Sequence, residues 1–303
     1  MTAPTYERVP ATTWRKRMRQ QSMLFASFDR VIRNPQGVIA IAGLLLLVAL
    51  AIGAGLVTKY GATSQSYPGA ARFLAPSLDH PFGTDELRRD LFSRTVFGLR
   101  SSLIISVSAV SIGATAGISA GFIAGYAGGW TERIVMRVVD SLLAFPGLLA
   151  ALAILTILGP GTRNVGIAIA FFNIPAFCRL SRAQMLSEKN KDYVSASQAL
   201  GAGPLRIIFG HIARNALPPL LTQVSLAMNG AVLISASLSF LGLGDKPPTP
   251  SLGGLLNSSK SNLRDAWWYA VCPGAVLAFL LLCLNFLADA VNEATSPYSQ
   301  RKV

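Results

Sequence analysis

An all-α protein that crosses a membrane six times is the fold class this sequence predicts, and three observations carry that expectation. Apolar residues arrive in runs of about 20, the length a helix needs to cross roughly 30 Å of hydrocarbon. Of the 303 residues, 51% are hydrophobic and only 14% charged, whereas soluble domains carry about 25% charge. Each run is bounded by charges or by Gly/Pro clusters, as membrane helices are. Length alone would allow two soluble domains; the distribution of the apolar residues excludes them.

In chain order, residues 1–36 form a basic leader. Trp14, Met18, Phe25, Phe28 and Ile32 recur there at helical spacing among Arg15, Lys16, Arg17, Arg19 and Arg30. A helix so patterned lies on an anionic cytoplasmic leaflet; a disordered basic tail is the competing reading. The first span covers 37–57. Ala49-Leu50-Ala51 mimics a signal cleavage site, but it lies within the apolar run and far behind the leader, so this helix is expected to be retained. An extracytoplasmic loop over 58–96 follows, and then a domain of five helices over 97–291. Its spans are 101–124, 134–158, 164–181, 217–243 and 267–291, with a tail over 292–303.

Placing both termini in the cytoplasm puts about 17 of the 27 Lys and Arg residues in or beside inner segments, the direction of the positive-inside rule. Trp267 and Trp268 then stand at the outer interface, where indole rings are favoured. The expected location is a bacterial inner membrane. Membrane lipid, not nucleic acid, is the partner implied by the net charge of +13.

Inside the second span, Gly113, Gly117, Gly121 and Gly125 form a ladder at spacing four that lets another backbone approach closely. Four residues turn through about 400°, so the ladder should wrap along its partner; a sliding contact during gating is compatible with the same pattern. Pro146, Pro175 and Pro273 lie within spans and should kink them. Asp140 and Asp289 sit near inner span ends, with Arg133 and Arg137 before Asp140, so ion pairing or hydration is expected rather than proton coupling. Cys178, Cys272 and Cys283 fall inside apolar runs without paired spacing and read as small buried hydrophobes.

Two motif matches fail on context. Gly242-Leu243-Gly244-Asp245 has the form of an intramembrane aspartyl protease signature, but that chemistry needs two carboxylates sharing one site. Asp245 emerges on the outer side, far from Asp140 and Asp289. The segment from Gly254 to Ser261 nearly matches a phosphate loop, yet Ser259 stands where the second glycine is needed and no strand precedes it. No catalytic, cofactor or metal site is expected.

The inner loop over about 182–216 is different in kind. A short helix around Ser195–Ala199 ends at Gly201, Pro204 can open a second helix, and Leu205, Ile208, Phe209 and Ile212 share a face of it. A small exposed helix braced in this way suits a groove on another protein.

These residues carry a resemblance. Ala196, Gly201 and Asn215-Ala216-Leu217-Pro218 are similar to the EAA loop of ABC importer permeases, the coupling helix that docks on ATPase subunits. Over roughly 80–290 the chain resembles the C-type permease subunit of dipeptide/oligopeptide importers. The matching motifs are His80 to Asp85 (HPFGTD), Arg89-Asp90, Ala124 to Trp130 (AGYAGGW), Asp140 to Pro146 (DSLLAFP), Tyr193-Val194, Ser239 to Gly244 (SFLGLG) and Asn285 to Asp289 (NFLAD). It departs at Ser195, where the loop usually has Glu, at Ser197, at Ala213-Arg214, and at Arg88, where Gly is usual.

The resemblance implies a type I importer permease fold with a cytoplasmic coupling helix, and an ATP-driven peptide importer in which ATP is hydrolysed on other subunits. Partners would be a second permease, ABC ATPase subunits and an extracytoplasmic solute-binding protein. Contacts to the ATPase would come from Tyr193, Ser195, Ala196, Ala199, Leu200, Gly201 and Gly203. A permease for nickel, another metal chelate or porphyrin has a similar pattern and is the alternative within the family. An ion-coupled secondary transporter is the rival outside it, and that would need midplane carboxylates and repeat symmetry.

Overall fold

The computed structural model describes residues 31–32, 34–64 and 71–295. The leader's amphipathic pattern falls outside these residues except for Ile32, as do positions 296–303. The first described span is α1, Pro35–Ile52. Asn34 caps it, accepting from the Gln36 amide at 2.9 Å, with Pro35 at the first position where its missing N–H costs nothing. Gly37, Ala40, Gly43, Leu47 and Ala51 form its buried stripe. A short helix, α2 (Ala54–Val57), completes the run.

Outside the first span, residues 71–90 fold into a compact cap rather than an open loop. Asp85 is fully buried between Arg89, at 2.7 Å, and Arg94, at 3.3 Å, and accepts the backbone amides of Leu87 and Arg89. Asp90 accepts from the amide and hydroxyl of Ser93, each at 2.7 Å, and meets the His80 Nδ1 at 2.9 Å. Asp90 thereby starts α3, Leu91–Ala127, ten residues before the expected second span. Arg94, inside the expected loop, is neutralised within the cap by Asp85. The bridge between Thr84 and Asp90 is isolated, and no strand occurs among the described residues.

Arg88 takes a left-handed conformation, φ 63, on the cap's exposed surface. A Cβ there costs about 1–2 kcal/mol relative to glycine. Arg88→Gly is therefore expected to stabilise the protein, raising its melting temperature in detergent by roughly 2–4 °C per kcal/mol gained; a fall would contradict the strain.

The expected third span, 134–158, is not one continuous helix. It is two, α4 (Gly129–Leu143) and α5 (Gly147–Leu158), which meet at 92°. Pro146 lacks an N–H and disfavours helix at Phe145, and it adopts an extended ψ of 127 as it begins α5. The result is a break rather than a kink. Helix α6 (Thr162–Glu188) holds Pro175 inside an unbroken helix and runs past the expected end at 181.

Beyond α6 lie α7 (Asp192–Ala199) and α8 (Pro204–Ile207), a π-turn over Ile208–Ile212, and α9 (Ala213–Phe240). Pro218 and Pro219 lie within α9. The carbonyls they leave without donors belong to Arg214 and Asn215, both on the exposed surface. Helix α10 (Leu252–Ser259) packs at the end of the bundle that carries the cap, and α11 (Trp268–Thr295) closes the bundle against α1, with Pro273 inside it.

The main core joins α3, α5, α6 and α9 through Ile105, Ala109, Leu155, Ile169, Phe177, Ala231 and Leu238. The glycine ladder of α3 lies flat on α6. A Cβ on Gly113 would come within 2.8 Å of the Ala170 carbonyl, on Gly117 within 2.5 Å of the Ile174 carbonyl, and on Gly121 within 2.2 Å of the Cys178 carbonyl. On Gly125 it would meet Met185 at 2.8 Å. Both helices advance together through these contacts, so they run parallel, with α4 and α5 making the return between them.

Candidate functional site: the loop beneath the bundle

Helix α7 hangs from the end of α6 and is turned back by a tight stop. The Gly201 amide donates to the Gln198 carbonyl at 2.9 Å and the Ala202 amide to the Ser197 carbonyl at 3.0 Å, the paired closure of a Schellman motif. It needs a left-handed residue, and Gly201 supplies φ 78. A Cβ at Gly201 or Gly203 would meet nothing within 4 Å, so this turn protrudes into open space. Gly203 then caps α8, with Pro204 at its first position.

Beneath the turn, one apolar residue of α7 is inserted in the bundle. Val194 joins Ile207, Ile208 and Ile212 against Phe122 and Met185, at the junction of α3 and α6. The expected face of Leu205, Ile208, Phe209 and Ile212 is therefore split. Ile207, Ile208 and Ile212 face inward, while Leu205 and Phe209 are 71% and 55% exposed. The π-turn adds a residue to the helical repeat at 208–212, which rotates Phe209 out of register with its neighbours.

Of the expected contact residues, Ser195, Ala196, Ala199, Leu200, Gly201 and Gly203 lie on the exposed surface. Leu200 stands at the tip, 88% exposed. Leu205 and Phe209 are exposed on the same segment, outside the apolar cluster of Val194, Ile207, Ile208 and Ile212. Tyr193 is different: it is half-buried, with its hydroxyl turned inward.

The inward partner is Glu188, which sequence reasoning missed. Its carboxylate, 7% exposed, accepts from Lys191 Nζ at 2.5 Å, the Tyr193 hydroxyl at 2.8 Å and Asn215 Nδ2 at 3.4 Å. Burial and the adjacent carboxylate push the Tyr193 phenol up to about 12, so it donates at every physiological pH. The available signal was a lone acid in the otherwise basic stretch between Arg182 and Lys191. Nearby, Lys189 Nζ donates to the Gly125 carbonyl at 3.1 Å, closing the end of α3 as cations favour helix C-termini.

The charges of α4 find partners on α6. Asp140 pairs with Arg179 at 2.5 Å, not with Arg133 or Arg137 of its own helix, and Glu132 pairs with Arg182. At the other end of the bundle, Asp245 accepts from the Ser101 hydroxyl at 3.0 Å. Burial raises its carboxyl above the ordinary range, against opposing bonds from Ser101 and the Thr162 backbone. Thr162 opens α6, and Arg179 lies roughly 25 Å further along it. Asp245 and Asp140 therefore share no site.

A helical bundle with several bilayer-length spans has the architecture of a multi-pass membrane protein. The chain belongs to the family described as binding-protein-dependent transport system inner membrane component, which matches residues 117–297. It is 40% identical to the di/tripeptide transport system permease protein DppC of Pseudomonas aeruginosa (strain UCBPP-PA14), over 84% of this chain and 85% of that protein. The glutathione transport system permease protein GsiD of Escherichia coli O6:K15:H31 (strain 536 / UPEC) is 38% identical over 88% of each chain. Among solved structures, an inward-facing form of the MetNI methionine ABC transporter superposes with a TM-score of 0.57 at 18% identity, covering 68% of this chain and 98% of the other. This likeness establishes the ABC importer permease fold.

Proposed function

We propose that this chain is one of two permease subunits of an ATP-driven importer that carries di- or oligopeptides into the cytoplasm. In this reading its termini face the cytoplasm, a solute-binding protein delivers cargo to the outer face, and ATPase subunits hydrolyse ATP below. The observation that carries it is the α7–Gly201–α8 handle: exposed at Ala196, Leu200, Leu205 and Phe209, yet fixed to two spans through Val194 and Glu188. A partner that binds one position of the handle better than another shifts the permease between two states, and the shift is a rigid-body movement of packed helices. Chemistry stays on the partner; this chain supplies the path and the lever. Peptide cargo is supported by the di/tripeptide and glutathione relatives.

Cells whose chromosomal copy is deleted are expected to resist a toxic dipeptide analogue and to regain sensitivity on complementation. Unchanged sensitivity after deletion, in a strain without other peptide importers, would overturn the cargo. Uptake of a nickel chelate or a porphyrin lost on deletion would replace it.

A further inference from the structure

Helix α7 has two attachments to the bundle that differ in kind. Val194 sits in an apolar cluster, and apolar contact carries no direction, so it alone would let the helix swivel. The Glu188 carboxylate does carry direction. Its two oxygens hold Lys191, just before α7, Tyr193 within α7, and Asn215 in the first turn of α9, while its own backbone ends α6. The Lys191 and Tyr193 bonds are short, as bonds to an ionised carboxylate are, while the Asn215 contact is longer at 3.4 Å; a buried carboxylate stripped of a donor is penalised. Four segments therefore meet at one side chain.

We propose that Glu188 is a positioning residue that locks α7 to α6 and α9, so that displacement of the handle becomes tilt of both spans instead of local rotation. The assignment rests on the reading of α7 as the element docked by the ATPase subunits.

The test uses the full complex in proteoliposomes, with both permeases, the ATPases and the binding protein, and a radiolabelled alanine dipeptide as probe. In Glu188→Gln the ATPase subunits are expected to remain captured while dipeptide moved per ATP hydrolysed falls by roughly five-fold or more. Tyr193→Phe, which deletes one donor, is expected to lower that ratio in the same direction. Because both changes break one junction, the double variant should be no worse than Glu188→Gln alone. A normal ratio in both single variants, additive losses in the double, or loss of ATPase capture in Glu188→Gln would each overturn the assignment, the last by reducing Glu188 to a folding role. A wild-type complex that hydrolyses ATP without moving the dipeptide would overturn the functional reading, and this assignment with it.

Discussion

Leu200→Asp and Ala196→Trp are each expected to release the ATPase subunits from a permease that remains folded. Leu200 is 88% exposed in the isolated chain, so its removal costs this chain's own core nothing. Buried in a partner's groove, a leucine contributes about 1.5–3 kcal/mol, or roughly ten- to a hundred-fold in affinity, and a carboxylate in its place adds a desolvation penalty. Ala196 lies on the same exposed surface, where an indole would overfill a groove shaped for a methyl group. Affinity capture through this chain should lose ATPase by more than about ten-fold, while the melting temperature of the isolated permease stays at the wild-type value. Full capture with both variants would show that the handle is not where the ATPases hold.

Gly121→Ala is expected to be the most damaging single methyl that can be added to the glycine ladder of α3. The added Cβ would lie 2.2 Å from the Cys178 carbonyl oxygen and 2.0 Å from Ser181 Oγ. The hydroxyl could swing aside; the carbonyl belongs to a helix and cannot. Overpacking of this kind costs typically 1–3 kcal/mol and more where backbone is struck. A loss of several degrees in melting temperature is expected, and a branched residue at Gly121 should abolish accumulation in the membrane. Gly230→Ala is the matched control. Its Cβ would meet nothing within 4 Å, so it should be neutral or stabilising, as alanine is in an open helix position. Equal effects of the two would mean that α3 and α6 do not approach as described.

The parts legible in the sequence were those fixed by composition or by short spacing. Apolar runs of bilayer length announce spans wherever they fold, and the glycine ladder points to a close helix contact because only glycine allows it. Which helix fills that contact was not legible, since Ala170, Ile174 and Cys178 look like any apolar stretch. Proline was ambiguous for a physical reason. Pro175 and Pro273 sit inside continuous helices while Pro146 ends one, and the lost hydrogen bond is identical in all three; what differs is whether surrounding packing keeps the axis straight. Arg88 was visible as a departure at a position where glycine is usual, and its left-handed φ supplies the cause. The carboxylate of Glu188 stayed hidden because its partners are spread over positions 191, 193 and 215, and nothing local brings Asn215 back beneath α6.

The zipper of α3 on α6 has a mechanical consequence. Helix α3 is 37 residues long, about 55 Å from end to end, and its first turn is nailed to the buried Asp85–Arg94 knot. Along its lower half it is fused to α6 by contacts without a side chain's thickness of slack, and α6 ends at the junction that carries the handle. The cap and the handle are thus opposite ends of one strut. A push of a few ångströms on the handle is therefore expected to reappear as a shift of the cap at the far end.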